Sequence, residues 1–182
     1  MTLPLRTAHT FELAPAELSA IRALLDDAFE EGFDDEDWDH GLGGIHAFVR
    51  DPDGAFVAHG SLVQRRVLLA GRSYRIGYVE AVAVRADRRR QGLGGRVMAS
   101  LERVLDGAYA AGALAASDDG ALLYRARGWH PWPDRIEALG PGGVVRLPEE
   151  EGALYLRPSA GHPPLDPSGG ALVFDWREGA VL

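Results

Sequence analysis

Apolar positions in this chain change period several times, and each change marks an element. From Tyr78 to Val84 the residues alternate and are rich in valine, which predicts a strand; Leu93, Val97, Leu101, Val104 and Leu105 then recur on one face, which predicts a helix through Leu105. Between them lies a turn of arginines and glycines, Arg85 to Gly95. Upstream, Leu5–Thr10 reads as a first strand, and Pro15 opens a helix with Leu18, Ile21, Leu24, Leu25, Ala28 and Phe29 on a broad face. Ile45–Val49 and Ala55–Val63 flank Asp51-Pro52-Asp53-Gly54 and predict a hairpin. Val67–Ala70 and Ser73–Val84 flank Gly71-Arg72 and predict a second one, so that four antiparallel strands precede the helix.

Downstream, Ala113–Ala116 reads as a short buried strand, and Ser117-Asp118-Asp119 can cap a helix from about Gly120 to Arg127 with Leu122, Leu123 and Tyr124 inward, stopped by Gly128. Short strands are expected at Arg135–Leu139, Val144–Leu147, Ala153–Leu156 and Ala171–Phe174, with a Pro/Gly-rich loop over Ser159–Gly170. No repeat, low-complexity tract or long linker divides the chain, so a single domain over 1–182 is expected.

Composition changes this picture little, and charge changes it more. The net charge of −8 disfavours nucleic acid and suits a cationic partner. The absence of cysteine excludes disulfides, thiolate metal sites and an acyl-cysteine intermediate. With no apolar leader and no membrane-length apolar run, the expectation is a cytoplasmic protein that does not enter a membrane. Acids cluster: Glu30 to Asp39 contains seven, interrupted by Phe33 and Trp38, and Glu149 to Glu151 contains three. An acidic run is ordinarily a solvated loop, but embedded aromatics argue for a packed or ligand-facing surface. Six histidines show no close metal-ligand spacing, so no metal site is expected.

The strand, turn and helix around Gly92 suit an anion, because the first amides of a helix lack internal partners and glycine lets backbone approach a ligand. A P-loop is excluded, since the chain has no lysine, and a dinucleotide fingerprint does not follow directly on the strand. Arg89-Arg90-Gln91-Gly92-Leu93-Gly94 resembles instead the acyl-CoA signature of the GNAT N-acetyltransferases, Gln/Arg-x-x-Gly-x-Gly/Ala. Further blocks are similar to those of the aminoglycoside 2'-N-acetyltransferases, in the same order: Asp37 to His46 with its Leu42-Gly43-Gly44-Ile45-His46, Gly77 to Val84, Gly107-Ala108-Tyr109, Ala116 to Gly120, Tyr124 to Trp132, Glu149 to Gly152, and Asp175-Trp176-Arg177.

That resemblance implies an α/β (α+β) GNAT fold, a mixed, mostly antiparallel sheet with splayed central strands flanked by helices. It implies acetyl-CoA as cofactor, a cationic aminoglycoside as acceptor, direct transfer in a ternary complex, and a homodimer. Backbone groups of Val82, Ala83 and Val84 would hold the pantetheine arm, and Arg89, Arg90, Gln91, Gly92, Leu93, Gly94 and Gly95 would wrap the pyrophosphate. Glu80, a lone acid in an apolar strand, is the expected base, and Tyr124 the acid that reprotonates the departing thiolate. Glu31, Asp34, Asp37, Trp38, Glu80, Ser117, Glu150 and Glu178 are the expected acceptor contacts, Ser117 more as a cap than a nucleophile. Two positions depart from the family pattern: Gly32 replaces an aspartate ahead of Phe33, and Ala180-Val181-Leu182 replaces an Asp-x-Trp ending. The alternative is a GNAT enzyme for another small cationic amine, or a binding protein that holds aminoglycosides without turnover.

Overall fold

The computed structural model describes residues 3–182, without the side chains of Glu31, Asp118 and Asp119. The chain divides into two compact units, one of residues up to 63 together with 79–104, the other of 64–78 and 105–182. Each is built on its own core.

In the first unit, strands β1 (Leu5–His9), β2 (Ile45–Arg50) and the first half of β3 (Phe56–Leu69) pair antiparallel, with Leu5 opposite Val49 and Ile45 opposite Leu62. The second half of β4 (Arg72–Val84) lies beside β3. Helix α1 (Pro15–Phe29) begins with proline, and the Glu17 carboxylate accepts the Ala14 amide at 2.9 Å. Its spacing buries Ile21, Leu24 and Leu25 against Phe48, Phe56 and Ala83, as the apolar stripe predicts. The first part of α3 (Leu93–Ala108) covers another face: a methyl at Gly60 would stand 2.9 Å from Val97, 3.2 Å from Val82 and 3.3 Å from Leu101.

In the second unit the strand order is β6-β9-β5-β4-β3-β10-β7-β8, taking β5 as Ala111–Ala115, β6 as His130–Pro131, β7 as Ile136–Gly140, β8 as Gly143–Arg146, β9 as Leu154–Pro158 and β10 as Leu172–Asp175. The sheet is mixed, since β5 runs parallel to β4 and β10 parallel to β7. The β4–β5 pairing takes in Ile76 to Tyr78, after which β4 continues to Val84 in the first unit, while Leu114 and Ala115 pair with β9. Helix α4 (Asp118–Arg125) follows β5. The fold is the mixed, mostly antiparallel sheet with flanking helices expected of a GNAT protein.

Three local expectations are corrected. The strands expected at Ala55–Val63 and Val67–Ala70 are one strand, β3: Gln64-Arg65-Arg66 reads as a polar break, but Gln64 and Arg66 point to solvent while Arg65 is 2% exposed, so the alternation continues through it. Leu122 is 77% exposed, because three consecutive helical residues span too wide an arc to share one buried face. Helix α4 begins at Asp118 rather than Gly120, because Ser117 alone is its cap, whereas the acidic run packs as its aromatics suggest, with Asp35–His40 forming a short helix, α2. No helix among the described residues is long and apolar enough to cross a membrane.

Candidate active site

Toward its end, β4 carries a backbone irregularity. Ala81 has φ 50°, a left-handed conformation inside a strand, and a non-glycine residue held there costs on the order of 1–2 kcal/mol. Glu80 precedes it, half-buried, with its carbonyl 3.5 Å from the Ser61 hydroxyl. Val82 lies against Gly60 and Ala83 belongs to the α1-facing core, so the strand is anchored on both faces beyond Ala81. The carbonyl of Val84 accepts Nε of Arg89 at 3.3 Å, which occupies one of the backbone groups expected to hold pantetheine.

The next turn is preorganised for an anion. Arg85 is tied to Asp87 at 2.6 Å and to Asp51 at 3.4 Å, and the Gln91 side chain donates to the Asp87 carbonyl at 3.4 Å. Arg90 and Gly92 have φ 60° and 76°, left-handed conformations on either side of Gln91 that fold the chain sharply ahead of α3. Gly92 needs its freedom for that φ, and no protein atom comes within 4 Å of where its Cβ would stand. Arg96 makes the first helical bond of α3, to the Gly92 carbonyl at 3.1 Å, so the amides of Leu93, Gly94 and Gly95 stand ahead of the helical ladder with the positive end of the dipole. Arg88, Arg89 and Arg90 border this turn. These features fit the pyrophosphate of a coenzyme A group.

The acidic segment is more structured than its composition suggests. Asp34 accepts the amide of Asp37 at 2.9 Å and Asp37 accepts the amide of Asp34 at 3.1 Å, a reciprocal cap on α2. The Asp37 amide, first among the causes, holds the Asp34 carboxyl below its ordinary range. Asp35 pairs with Arg22 at 2.9 Å, and Phe33 and Trp38 pack onto the α1 core, with Phe33 stacked on Phe29. The side chain of Glu31, an expected acceptor contact, lies outside the described residues.

Four expected residues belong to the second unit. Ser117 caps α4, its hydroxyl accepting the Gly120 amide at 3.3 Å, as its sequence position predicts. Tyr124 is buried, and burial pushes its hydroxyl up to about 12, which keeps it a protonated phenol at neutral pH. A methyl at Gly120 would stand 2.9 Å from the Tyr124 ring, so this glycine makes room for it, a role that neither its place at the helix start nor its place in the Ala116 to Gly120 block reveals. Glu150 is half-buried and its pKa is raised, first by burial and then by Glu149. Glu178 is exposed near the end of the chain. The structure thus groups Glu80, Val82 to Val84, Arg89 to Gly95 and the Asp34–Trp38 segment in the first unit, and Ser117, Tyr124, Glu150 and Glu178 in the second. Among the described residues, no group of three or more His, Asp or Glu side chains has metal-site geometry.

Comparison with known proteins identifies the family. Residues 11–132 match the family profile described as Acetyltransferase (GNAT) domain. The chain is 45% identical over 179 residues to an aminoglycoside 2'-N-acetyltransferase of Mycolicibacterium fortuitum, covering 97% of this chain and 90% of the relative. Among solved structures it is similar to a GNAT family N-acetyltransferase from Escherichia coli in complex with CoA, with a TM-score of 0.62, 20% identity and coverage of 96% and 91%. It is also similar to Escherichia coli ElaA, with a TM-score of 0.63, 17% identity and coverage of 86% and 99%. These two likenesses establish the fold, and the family profile and the close relative establish the rest: the chain is an acetyltransferase and belongs to the aminoglycoside 2'-N-acetyltransferase family of the GNAT superfamily.

Proposed function

We propose that this protein acetylates the 2'-amino group of aminoglycosides with acetyl-CoA, by direct transfer in a ternary complex, and so confers resistance to them. The observation that carries the reading is Glu80, a half-buried carboxylate in an apolar strand, immediately ahead of the strained Ala81 and the backbone of Val82 to Val84. Acetyl-CoA supplies an activated acetyl thioester. The amides of Leu93, Gly94 and Gly95, with Arg89, Arg90, Gln91 and Gly92, would hold its pyrophosphate, and the backbone of Val82 to Val84 its pantetheine arm.

An aminoglycoside amine is largely protonated near neutrality, and only its neutral form attacks a thioester. Glu80 removes that proton, directly or through water. Tyr124, a phenol at neutral pH, returns a proton to the leaving sulfur. In this reading Glu31, Asp34, Asp37, Glu150 and Glu178 supply the charge that meets the acceptor, Trp38 is a further acceptor contact, and Ser117 contributes as a cap. The reciprocal caps of α2 fix the orientation of the Asp34 and Asp37 carboxylates, and a carboxylate meets a polycation through charge-assisted hydrogen bonds. We further infer that residues 1–182 act as one catalytic domain, as a homodimer, in the cytoplasm.

A second reading, transfer to a different small cationic amine, draws support from the same segment. Asp34 and Asp37 are engaged in capping and Asp35 in an ion pair, and Gly32 offers no carboxylate. Thiol release from acetyl-CoA over a panel of amines, with mass spectrometry of the product, separates the two. A 2'-amino aminoglycoside is expected to be acetylated and a 2'-hydroxyl analogue to bind without acetylation there. Glu80→Gln is expected to lower turnover about 10²- to 10⁴-fold, most at low pH, and Tyr124→Phe to lower it with little change in acceptor KM. Wild-type turnover in both variants would reject these roles.

A further inference from the structure

The Leu42-Gly43-Gly44-Ile45-His46 block has no place in the chemistry above, yet it ends in a histidine that is 0% exposed. His46 lies on β2 and His59 on β3, with Phe48 opposite His59 and Ser61 opposite His46, so the two rings are diagonal neighbours on one face of the pair. Nδ1 of His46 stands 2.9 Å from Nε2 of His59. Nδ1 of His59, itself 1% exposed, stands 3.1 Å from the carbonyl of Ala81. At the other end Nε2 of His46 stands 2.8 Å from the Thr10 hydroxyl, which accepts the amide of Gly43 at 2.9 Å. The close approach that sets this end requires Gly44, where a methyl would fall 2.2 Å from the Leu62 carbonyl.

Proton placement along this chain follows from which atoms can donate. A carbonyl only accepts, so Nδ1 of His59 carries the hydrogen and its Nε2, in the neutral ring, accepts. Nδ1 of His46 must then donate and its Nε2 must accept; the Thr10 hydroxyl gives its single proton there at 2.8 Å rather than to the Gly44 carbonyl at 3.3 Å, which already accepts the Thr10 amide at 3.0 Å. Burial, reinforced for each ring by a neighbouring histidine, pushes His46 down to about 4 and His59 down to about 3, so both rings are neutral near pH 7. All the hydrogen bonds run in one direction, from the Gly43 amide to the Ala81 carbonyl.

We infer that Thr10, His46 and His59 are positioning residues for the acetyl-transfer reaction: their hydrogen-bond chain holds the Ala81 carbonyl, and with it the left-handed backbone at Ala81 that aims Glu80 before it and the backbone groups of Val82 to Val84 after it. The physical reason is local geometry. A left-handed residue inside a strand departs from the extended path, so relaxing it to an extended conformation would re-aim the peptide groups and side chains on either side of it. The left-handed Ala81 is not favoured by its own side chain and has to be held by its surroundings, and a buried donor aimed at its carbonyl does so. This inference rests on the role proposed for Glu80, and its test is arranged to fail separately from that reading.

The first measurement uses the ¹⁵N shifts of histidine in the free protein and needs no activity. His59 and His46 are expected as neutral Nδ1–H tautomers at pH 7, and an Nε2–H tautomer at His59 would overturn the chain. The second is steady-state acetylation by His59→Leu and His59→Asn, beside Leu24→Ala as a buried control in α1. His59→Leu is expected to lower kcat about 10²-fold with acceptor KM within about 2-fold, the scale of a misplaced catalytic group. Asparagine puts an amide N–H near the place of Nδ1, so His59→Asn is expected to recover to within about 5-fold of wild type. Equal losses in both variants, or a loss no larger than that of an equally destabilised Leu24→Ala, would overturn the inference.

Should His59→Leu fail to fold, Thr10→Val tests the far end. It is expected to shift the His46 ¹⁵N signals and lower kcat several-fold, and no change in either would count against the chain. If the wild type acetylates no amine, the functional reading falls, and the tautomers alone decide whether the chain exists as drawn.

Discussion

Strand β3 buries two titratable side chains six positions apart, His59 and Arg65, and the protein treats them in opposite ways. In its second half Arg65 keeps its charge: Nε meets the Asp175 carboxylate at 2.8 Å, the terminal nitrogens reach the carbonyls of Asp175 and Val181 at 2.6 Å, and the guanidinium lies 5.2 Å from the Tyr78 ring and 5.1 Å from that of Phe174. Burial, and next the nearby Arg177, push its pKa down, but arginine starts so far above neutrality that it stays ionised. In the first half His59 has no carboxylate partner among its hydrogen bonds; it gives up its proton and becomes a link in a neutral chain. A buried charge with fixed acceptors anchors a chain segment, whereas a buried titratable ring without one transmits a hydrogen-bond direction.

The comparison is broken most directly at Arg65. Arg65→Leu removes the charge and strands two carbonyls and a carboxylate, and is expected to cost about 3 kcal/mol or more in urea unfolding. Asp175→Asn leaves both carbonyl bonds in place and should cost about 1–2 kcal/mol. An equal cost for the two would mean that the ion pair, rather than the backbone clamp, does the anchoring.

The histidines make the opposite prediction for pH. Their folded pKa values lie below the unfolded value of about 6.5, so below that pH the unfolded chain binds more protons. Their contribution is therefore complete above about pH 6.5 and is lost as pH falls through the folded values near 4 and 3, on the order of 2–3 kcal/mol per ring by about pH 4.5. Titration of unfolding free energy against pH should show this slope, reduced by close to one proton in His59→Asn. A slope unchanged in that variant would mean that His59 is charged in the native state.

The smallest effect sharpens the contrast from the side of a half-buried pair. Asp106 and Arg157 meet through two bonds at 2.8 and 3.2 Å, with side chains 28% and 20% exposed. Asp106→Asn should cost about 1 kcal/mol and respond to salt, whereas Arg65→Leu should not.

Much of the candidate site was legible because it is local. The anion turn depends on a strand, a glycine with φ 76° and a helix start in immediate succession, and the cap at Ser117 depends on its own neighbours. The acidic segment was legible in charge but not in form, since Asp34 and Asp37 cap each other's backbone across three residues, a signal that seven acids in close order conceal. Gln64-Arg65-Arg66 misled for a related reason: a buried arginine looks like a break until its partner, 110 residues away, is known.

Alternation and spacing in the sequence therefore determined the strands β1, β2 and β4, the helices α1 and α3, the glycine turn and the family, because these need only contacts within a few residues or motifs carried along the chain. Tertiary structure alone decided that Arg65 is an anchor, that Gly120 makes room for Tyr124, and that His46 and His59 share one proton direction ending at Ala81. Those outcomes depend on strand register, which brings residues distant in sequence within a hydrogen bond's length and sets whether a buried polar group meets a charge, a ring or a carbonyl.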